Sequence, residues 1–368
     1  MSLAAEVKER ALEMGFHAAG IATVEPFPEV EKAFLERQGA FSGLRWFTPQ
    51  RAYIASHPQA ILPPARSIIS VALSYGKELP ESGGEGPRGR LSRYTQGQDY
   101  HRRLSAKLRE LVSFMEKGSC QKRGGETRIV VDSFPLAERA VAHRAGVGWF
   151  GKNSNIFVPQ KGSWVFLGEI ISNVEMAPDQ PLAKSCGNCR ACIQACPTGA
   201  ITAPYAVEND RCISFLTIEL KGSLPRPLRP LMGDWIFGCD VCQEVCPVNR
   251  RLAGESVVPT LPLIPLLRMG EAEFNLKFAG RPMQRAQRSG LRRNAAVALG
   301  NLGHPQGLPA LIEALEDSDP VLREHIAWAL EQLGGKRAQA ALEKAWRHET
   351  HAPAREEMAL ALGSLTAA

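Results

Sequence analysis

Eight of the nine cysteines fall between Cys186 and Cys246. Such clustering suits metal or redox chemistry in a reducing compartment better than disulfides. The run Cys186-x2-Cys189-x2-Cys192-x3-Cys196-Pro197 has the spacing of a bacterial ferredoxin, its trailing proline included. Three thiolates at x2 intervals can converge on three irons of one cubane, while the fourth is turned away toward a second cluster. A second run, Cys239-x2-Cys242-x3-Cys246-Pro247, carries Ile236 where its first cysteine would stand. Cys212 lies between the runs and completes the count. The spacing predicts one [4Fe–4S] cluster on Cys186, Cys189, Cys192 and Cys246, and another on Cys196, Cys212, Cys239 and Cys242. Structural zinc is the competing reading, since CxxC pairs also build four-thiolate zinc sites. Cys120, ahead of Gln121-Lys122-Arg123, reads as a non-ligand.

Two clusters in one small module pass electrons singly from an external reductant, so an acceptor is needed elsewhere in the chain. No Gly-x-Gly-x-x-Gly follows a strand and no Walker motif is present, so neither a nicotinamide nor a nucleoside triphosphate is indicated. Asp132 ends the apolar stretch Ile129-Val130-Val131, where a carboxylate is costly unless paired or functional. It could equally be an N-cap for a helix starting near Pro135. The glycine-rich segment from Gly146 to Gly151 admits close approach of a flat ligand or a neighbouring strand, or is a tight turn.

The elements that must hold these groups fall into three zones: 1–175, 176–265 and 266–368. In the first, Leu3, Val7, Ala11 and Met14 mark a helix that stops at Gly15, and Leu104, Leu108, Leu111, Val112 and Met115 mark one face of another. Ser67–Tyr75, Ile129–Val131 and Trp164–Val174 read as buried strands, and 76–90 as a mobile loop. The pattern predicts a layered α/β or α+β domain. The cysteine- and proline-rich second zone is organised by its metal more than by an apolar core. The third repeats: Leu291–Leu302, Leu322–Leu333 and Ala354–Leu365 are copies of one helix, with a second helix at Leu308–Leu315. This is a short HEAT-like array, either a docking surface or a cap on the zone before it.

Hydrophobic residues make up 44% of the 368 and charged residues 22%, which excludes a largely disordered chain. No apolar run reaches the ~18 residues of a membrane span. The charged start, from Glu6 to Arg10, is unlike a signal peptide, and no twin-arginine leader is present, so a cytoplasmic location is expected. The net charge of +6 is concentrated; positions 88–128 hold 11 basic and four acidic residues. Such an excess suits a polyanion, or is a solvated surface.

Three motifs carry a resemblance that spans nearly the whole chain. Arg93-Tyr94-x-x-Gly97-x-Asp99-Tyr100-His101, Asp132-Ser133-x-Pro135-x-x-Glu138-Arg139 and Gly146-x-Gly148-Trp149-x-Gly151-Lys152-Asn153, followed by the split ferredoxin run and the repeat tail, resemble the epoxyqueuosine reductases. The resemblance implies a multidomain α+β chain: a nitroreductase-like α/β domain binding cobalamin, a ferredoxin-like two-cluster domain, and HEAT-like repeats. It implies reduction of epoxyqueuosine to queuosine at the tRNA wobble base, with electrons passing through two [4Fe–4S] clusters to cobalamin. Asp132 would be the proton donor, its carboxyl held protonated by burial against the corrin.

On the same footing, corrin contacts are expected from Arg93, Thr95, Asp99, Tyr100, His101, Asp132, Lys152, Asn153, Ser154, Ile156, Leu167, Ser214, Asp240, Val241 and Gln243. His101 is not expected to ligate cobalt, since a lone histidine more often makes hydrogen bonds. Arg281, Arg285, Arg288, Arg292 and Arg293 are candidate tRNA contacts, or a helix face paired with the acidic tail. A monomer served by a flavodoxin- or ferredoxin-type reductant is expected. The alternatives are a reductive dehalogenase-like corrinoid enzyme acting on a small molecule, and a pure electron-transfer module.

Overall fold

Residues 67–74 alternate so that Ile69, Val71 and Leu73 point to one apolar layer, and Ile68 and Ala72 to another. In the computed structural model, which describes residues 2–37, 48–75, 85–117, 125–132, 134–252 and 258–367, this segment is a central strand. The sheet consists of β1 (Ala18–Ala22), β2 (Ser67–Ser74), β3 (Thr127–Val130) and β4 (Val165–Ser172), in the order β1-β2-β4-β3. Every neighbouring pair is antiparallel. One face is covered by the helices Leu3–Glu13 and Tyr100–Lys117, the latter burying the five apolar residues that its spacing marks. The other is covered by the helix Glu138–Arg144. A Cβ on Gly20 would stand 2.0 Å from the Ala145 carbonyl oxygen, so the glycine lets β1 approach the end of that helix.

The expected loop at 76–90 needs correction at its end. Arg88–Leu91 is a strand, parallel to Trp235–Phe237 and antiparallel to Thr260–Pro262. Glycine and arginine dominate its sequence, and the pairing comes from partners far along the chain. Residues 76–84, Cys120 and Ser133 lie outside the described residues.

The repeat copies fall within the helices Gln287–Leu302, Pro320–Leu333 and Ala352–Ala367, with Gly307–Ala314 and Gly335–His348 as their partners. One apolar core runs from Leu91 and Ile213 through Trp235 and Phe237 to Leu291, Trp328 and Leu342. A buried ion network joins the same regions. Arg229 meets Glu324 at 2.5 Å and Glu357 at 3.2 Å, while Arg226 meets Glu331 at 2.5 Å and also Glu357. Among the described residues no helix is long and apolar enough to cross a membrane.

Candidate active site

Asp132 lies just past β3 with φ +44°, in the left-handed region. For a residue with a side chain this costs about 1–3 kcal/mol, and such strain clusters at functional sites. Its N–H donates to Glu138 Oε1 at 2.6 Å. Its side chain is 51% exposed, and Oδ2 is 3.1 Å from His101 Nε2. The other ring nitrogen, Nδ1, is 2.6 Å from Asp99 Oδ1, and the His101 backbone N–H donates to that oxygen at 2.9 Å. Asp99 is held in turn by its N–H, which donates to the Gly280 carbonyl. The His101 ring stacks on Tyr100, which lies flat against Phe166 at 4.1 Å.

Both nitrogens of His101 therefore face carboxylate oxygens, which have no proton to give when ionised. Two hydrogen bonds require both nitrogens to be N–H, the imidazolium form. The bond to Asp132 pushes the His101 pKa above its ordinary value against some desolvation, and Asp99 adds to the rise. This corrects the expected state of Asp132. Desolvation does push its carboxyl up, but the His101 hydrogen bond and charge, the Tyr100 hydroxyl and the charge of Arg285 outweigh it, and its pKa is lowered. The contact thus raises the histidine and lowers the carboxyl, which favours the charged imidazolium–carboxylate pair. The N-cap reading is also set aside: the following helix begins at Glu138 with Ala137 as an N-cap that makes no side-chain bond.

The other candidate corrin contacts form two groups. Arg93 and Asp240 interlock the first zone with the second cysteine run. Fully buried Asp240 accepts from Ser92 Oγ at 2.6 Å and from the Arg93 N–H at 2.7 Å, and Gln243 donates to it at 3.3 Å. Burial pushes the Asp240 carboxyl up to about 6, against these hydrogen bonds. The Arg93 guanidinium lies over Trp164 at 4.5 Å and reaches Glu244 at 3.2 Å. Thr95 is buried and donates to the Ser92 carbonyl, while Val241 packs against the large core. Lys152 Nζ donates to the carbonyls of Gly187 and Cys189, and Asn153 Nδ2 donates to that of Cys242, so this pair grips both cysteine runs. Ser154, at φ +64°, offers its carbonyl to Arg139. Ile156 and Leu167 pack in the apolar layer beneath the sheet, so Ile156, buried there, has only backbone to offer a ligand. Ser214 lies beside Cys212 and hydrogen-bonds its sulfur through the backbone N–H. The close approach expected of the glycine segment is to a strand: a Cβ on Gly148 would stand 2.4 Å from Ile156.

Among the described residues beside Asp240, Arg93 Nε, Gln96 Oε1 and Trp164 Nε1 are buried without a protein partner. Such groups are costly unless a ligand meets them. Donors and acceptors both occur among them, which fits the amide-rimmed edge of a corrin.

The seven cysteines of the two runs and Cys212 between them are free thiols. Burial raises the Cys192 thiol, and its charged neighbours are Cys186, Cys189 and Cys246. Burial likewise raises Cys212, pushes Cys239 up to about 12 and raises Cys242 well above the ordinary thiol range. The sulfur neighbours of these three are drawn from Cys196, Cys212 and Cys239. Thiolates so placed are stable only beside a compensating cation, and a metal cluster supplies one. The donor set fits an iron–sulfur group.

Arg292 and Arg293 do not reach solvent, which corrects their reading as tRNA contacts. They are 6% and 2% exposed. Arg292 donates to the Leu267 carbonyl and to Asp317, both at 2.6 Å. Arg293 donates to the carbonyls of Leu216, Leu220 and Gly222 and to Asn294, which ties the first repeat to the second zone. Arg288 is partly buried, bonded to Glu271 and the Met269 carbonyl. Arg281 is exposed, and Arg285 pairs with Glu219 while lying near enough to Asp132 to feel its charge.

Sequence reasoning missed Glu169 and gave Glu138 no role. Glu169 stands inside a strand that is otherwise apolar around it, and that break in pattern is the signal that could have found it.

Comparison with known proteins places this geometry. A family described as "Epoxyqueuosine reductase QueG, DUF1730" matches residues 56–133, a 4Fe-4S double cluster binding domain matches 185–249, and HEAT repeats match 283–363. The epoxyqueuosine reductase of Escherichia coli (strain K12) is 38% identical over 347 residues, covering 90% of this chain and 89% of its own. That of Bacillus cereus is 36% identical over 94% of this chain and 93% of its own. Among solved structures, epoxyqueuosine reductase with an epoxyqueuosine-modified tRNA-Tyr stem loop superposes with a TM-score of 0.90 at 33% identity, covering 98% of both chains. The Streptococcus thermophilus enzyme gives 0.89 at 29% identity over the whole of both chains. With motifs, cysteine set and fold agreeing along its length, the chain belongs to the epoxyqueuosine reductase family.

Proposed function

We propose that this chain reduces epoxyqueuosine to queuosine at the wobble position of tRNA, as an oxidoreductase carrying two [4Fe–4S] clusters and cobalamin. The observation that carries the site assignment is His101 Nε2 within 3.1 Å of a half-exposed Asp132 carboxyl, with Asp99 on the other ring nitrogen. When bound, the clusters supply single electrons and cobalamin supplies a cobalt centre for cleaving the carbon–oxygen bonds of the epoxide. The balance is two electrons and two protons in, alkene and water out. The chain's own work is to deliver protons to the departing oxygen. Asp132 presents the donating oxygen, His101 reloads it across 3.1 Å, and Asp99 fixes the ring from behind.

Cys186, Cys189, Cys192 and Cys246 hold one cluster and Cys196, Cys212, Cys239 and Cys242 the other, a partition supported by the mutual charge neighbours of these thiols. Arg93, Gln96 and Trp164 hold the corrin edge through their unpartnered polar atoms. Lys152 and Asn153 keep the cysteine loops against that cleft. The chain divides into a catalytic region 1–175, a cluster region 176–265 and a repeat region 266–368. The protein acts in the cytoplasm as a monomer, with a flavodoxin- or ferredoxin-type donor. Arg281, Arg285 and Arg288 meet tRNA phosphates. A dehalogenase-like activity on a small molecule is less supported, because the relatives that match nine-tenths of the chain are named epoxyqueuosine reductase and a structure so named holds a tRNA stem loop.

The test is anaerobic single turnover on an anticodon stem-loop containing epoxyqueuosine, followed by mass spectrometry of the nucleosides. Queuosine formation that requires both cobalamin and reductant is the expected result. Cofactor-replete protein that leaves the epoxide intact would overturn the proposal.

A further inference from the structure

We propose that Glu138, backed by buried Glu169, is a positioning residue that holds the Asp132 backbone in its left-handed turn. This rests on the reading of Asp132 given above. Glu138 opens the helix Glu138–Arg144, and its Oε1 accepts the Asp132 N–H at 2.6 Å. His101 and the Tyr100 hydroxyl hold the Asp132 side chain, while the bond to Glu138 holds its backbone N–H, in a conformation that side-chain-bearing residues rarely adopt. A displaced Asp132 would lose its alignment with both His101 and the substrate.

The second carboxyl explains why the acceptor stays in place. Glu169 is fully buried on β4, and its Oε1 accepts from Ser70 Oγ at 3.1 Å. Its Oε2 is buried with no partner in its ionised form, and Glu138 is its charged neighbour. Two carboxylates cannot bond, but a carboxylic acid can donate to a carboxylate. One shared proton satisfies Glu169 and leaves Glu138 Oε1 free for the Asp132 N–H. The energetics agree. Burial, then the charge of Glu138, pushes Glu169 well above the usual carboxylate range, and burial pushes Glu138 up to about 7 despite the hydrogen bonds it accepts. The facing charged groups are Asp132, Glu169 and Arg139, and the Arg139 guanidinium donates to the Ser154 carbonyl. The pair is thus clamped between the sheet and the helix, directly beneath the turn.

The experiment compares Glu138→Ala, Glu138→Gln and Asp132→Asn. Each is assayed by hydrogen exchange on peptides spanning 129–137, stem-loop affinity, iron content and single-turnover rate. Glu138→Ala should free the Asp132 amide to exchange and slow turnover by ~10²-fold, the scale of a misplacement of about 1 Å. Stem-loop affinity and iron content should be unchanged. Glu138→Gln should restore both protection and rate, because the amide oxygen accepts from Asp132 and the amide nitrogen donates to Glu169. An amide that stays protected in Glu138→Ala, or a Glu138→Gln protein as slow as Glu138→Ala, would overturn the proposal. Should the alanine variant lose iron, Glu138→Asp withdraws the acceptor by one methylene and must show the same loss of protection. Asp132→Asn separates the two readings: wild-type turnover there removes Asp132 from the chemistry, while the exchange result still decides what holds its backbone.

Discussion

His101 Nε2 lies 3.1 Å from Asp132 Oδ2, and the contact raises the pKa of the histidine while it lowers that of the carboxyl. The arrangement divides the work of a general acid between two residues. An exposed carboxyl cannot keep a proton at neutral pH by itself. A carboxylate at the substrate face, with an imidazolium behind it and a second carboxylate behind that, keeps one within a single transfer of the departing oxygen. The pair also contributes to stability within a defined window. For His101 the raised pKa means that its contribution is complete below about 6.5 and is lost as pH rises through the raised value. For Asp132 the lowered pKa means that the contribution is present above about 3.9 and is lost as pH falls through the lowered value.

Turnover should therefore fall on the alkaline side as His101 loses its proton, at a pH above the ordinary histidine value. His101→Gln keeps hydrogen bonding to Asp99 but cannot reload Asp132. Its single-turnover rate should be low and flat across that limb. A profile with an unchanged alkaline limb in His101→Gln would assign the titration to another group.

Asp132→Asn preserves size and most hydrogen bonding but has no acidic proton to pass on. Turnover should fall by roughly 10²–10⁴, the usual range for a lost general acid. Cluster and cobalamin content, read from the visible spectrum, should match wild type, so a loss of cofactor would point to a structural defect.

How much of this was legible in the sequence depends on the range of the interaction. The strands at 67–74 and 165–172 and the helix 100–117 follow from local apolar periodicity, and the structure has them within a residue or a few of the expected ends. The strand Arg88–Leu91 has no such signal, because its pairing is with residues near 235 and 260. Arginine alone does not say whether it faces water: Arg281 does, whereas Arg293 fills a ring of carbonyls from the second zone. Asp132 was visible through its motif, but its protonation state depends on His101, 31 residues earlier, which spacing cannot place.

Replacing Cys212 by Ala should remove the second cluster and leave the first. The thiol stands outside both cysteine runs, yet Cys239 and Cys242 are its charged neighbours. Anaerobic reconstitution of the wild type should give about eight irons per chain, two clusters of four. Cys212→Ala should give about half that number, with the EPR signal of the first cluster intact. Unchanged signals from both clusters would break the partition.

The arginines near the first repeat divide into those that can meet phosphate and those that cannot, and the two groups should fail differently. Arg281 and Arg285 are exposed and Arg288 is partly so. Reversing their charges should weaken stem-loop binding and flatten its dependence on salt, by about 0.7–0.9 in the log–log slope for each phosphate that is no longer neutralised. Thermal stability should change little, because ion pairs this exposed contribute at most about 1 kcal/mol. Arg293 is buried, with carbonyls of Leu216, Leu220 and Gly222 as its acceptors. Arg293→Ala would leave them without a donor at a cost of about 1–3 kcal/mol each. Its melting temperature should drop sharply, whereas whatever folded fraction remains should keep the wild-type salt slope. A flattened slope in Arg293→Ala, with its stability intact, would restore that residue to the tRNA face.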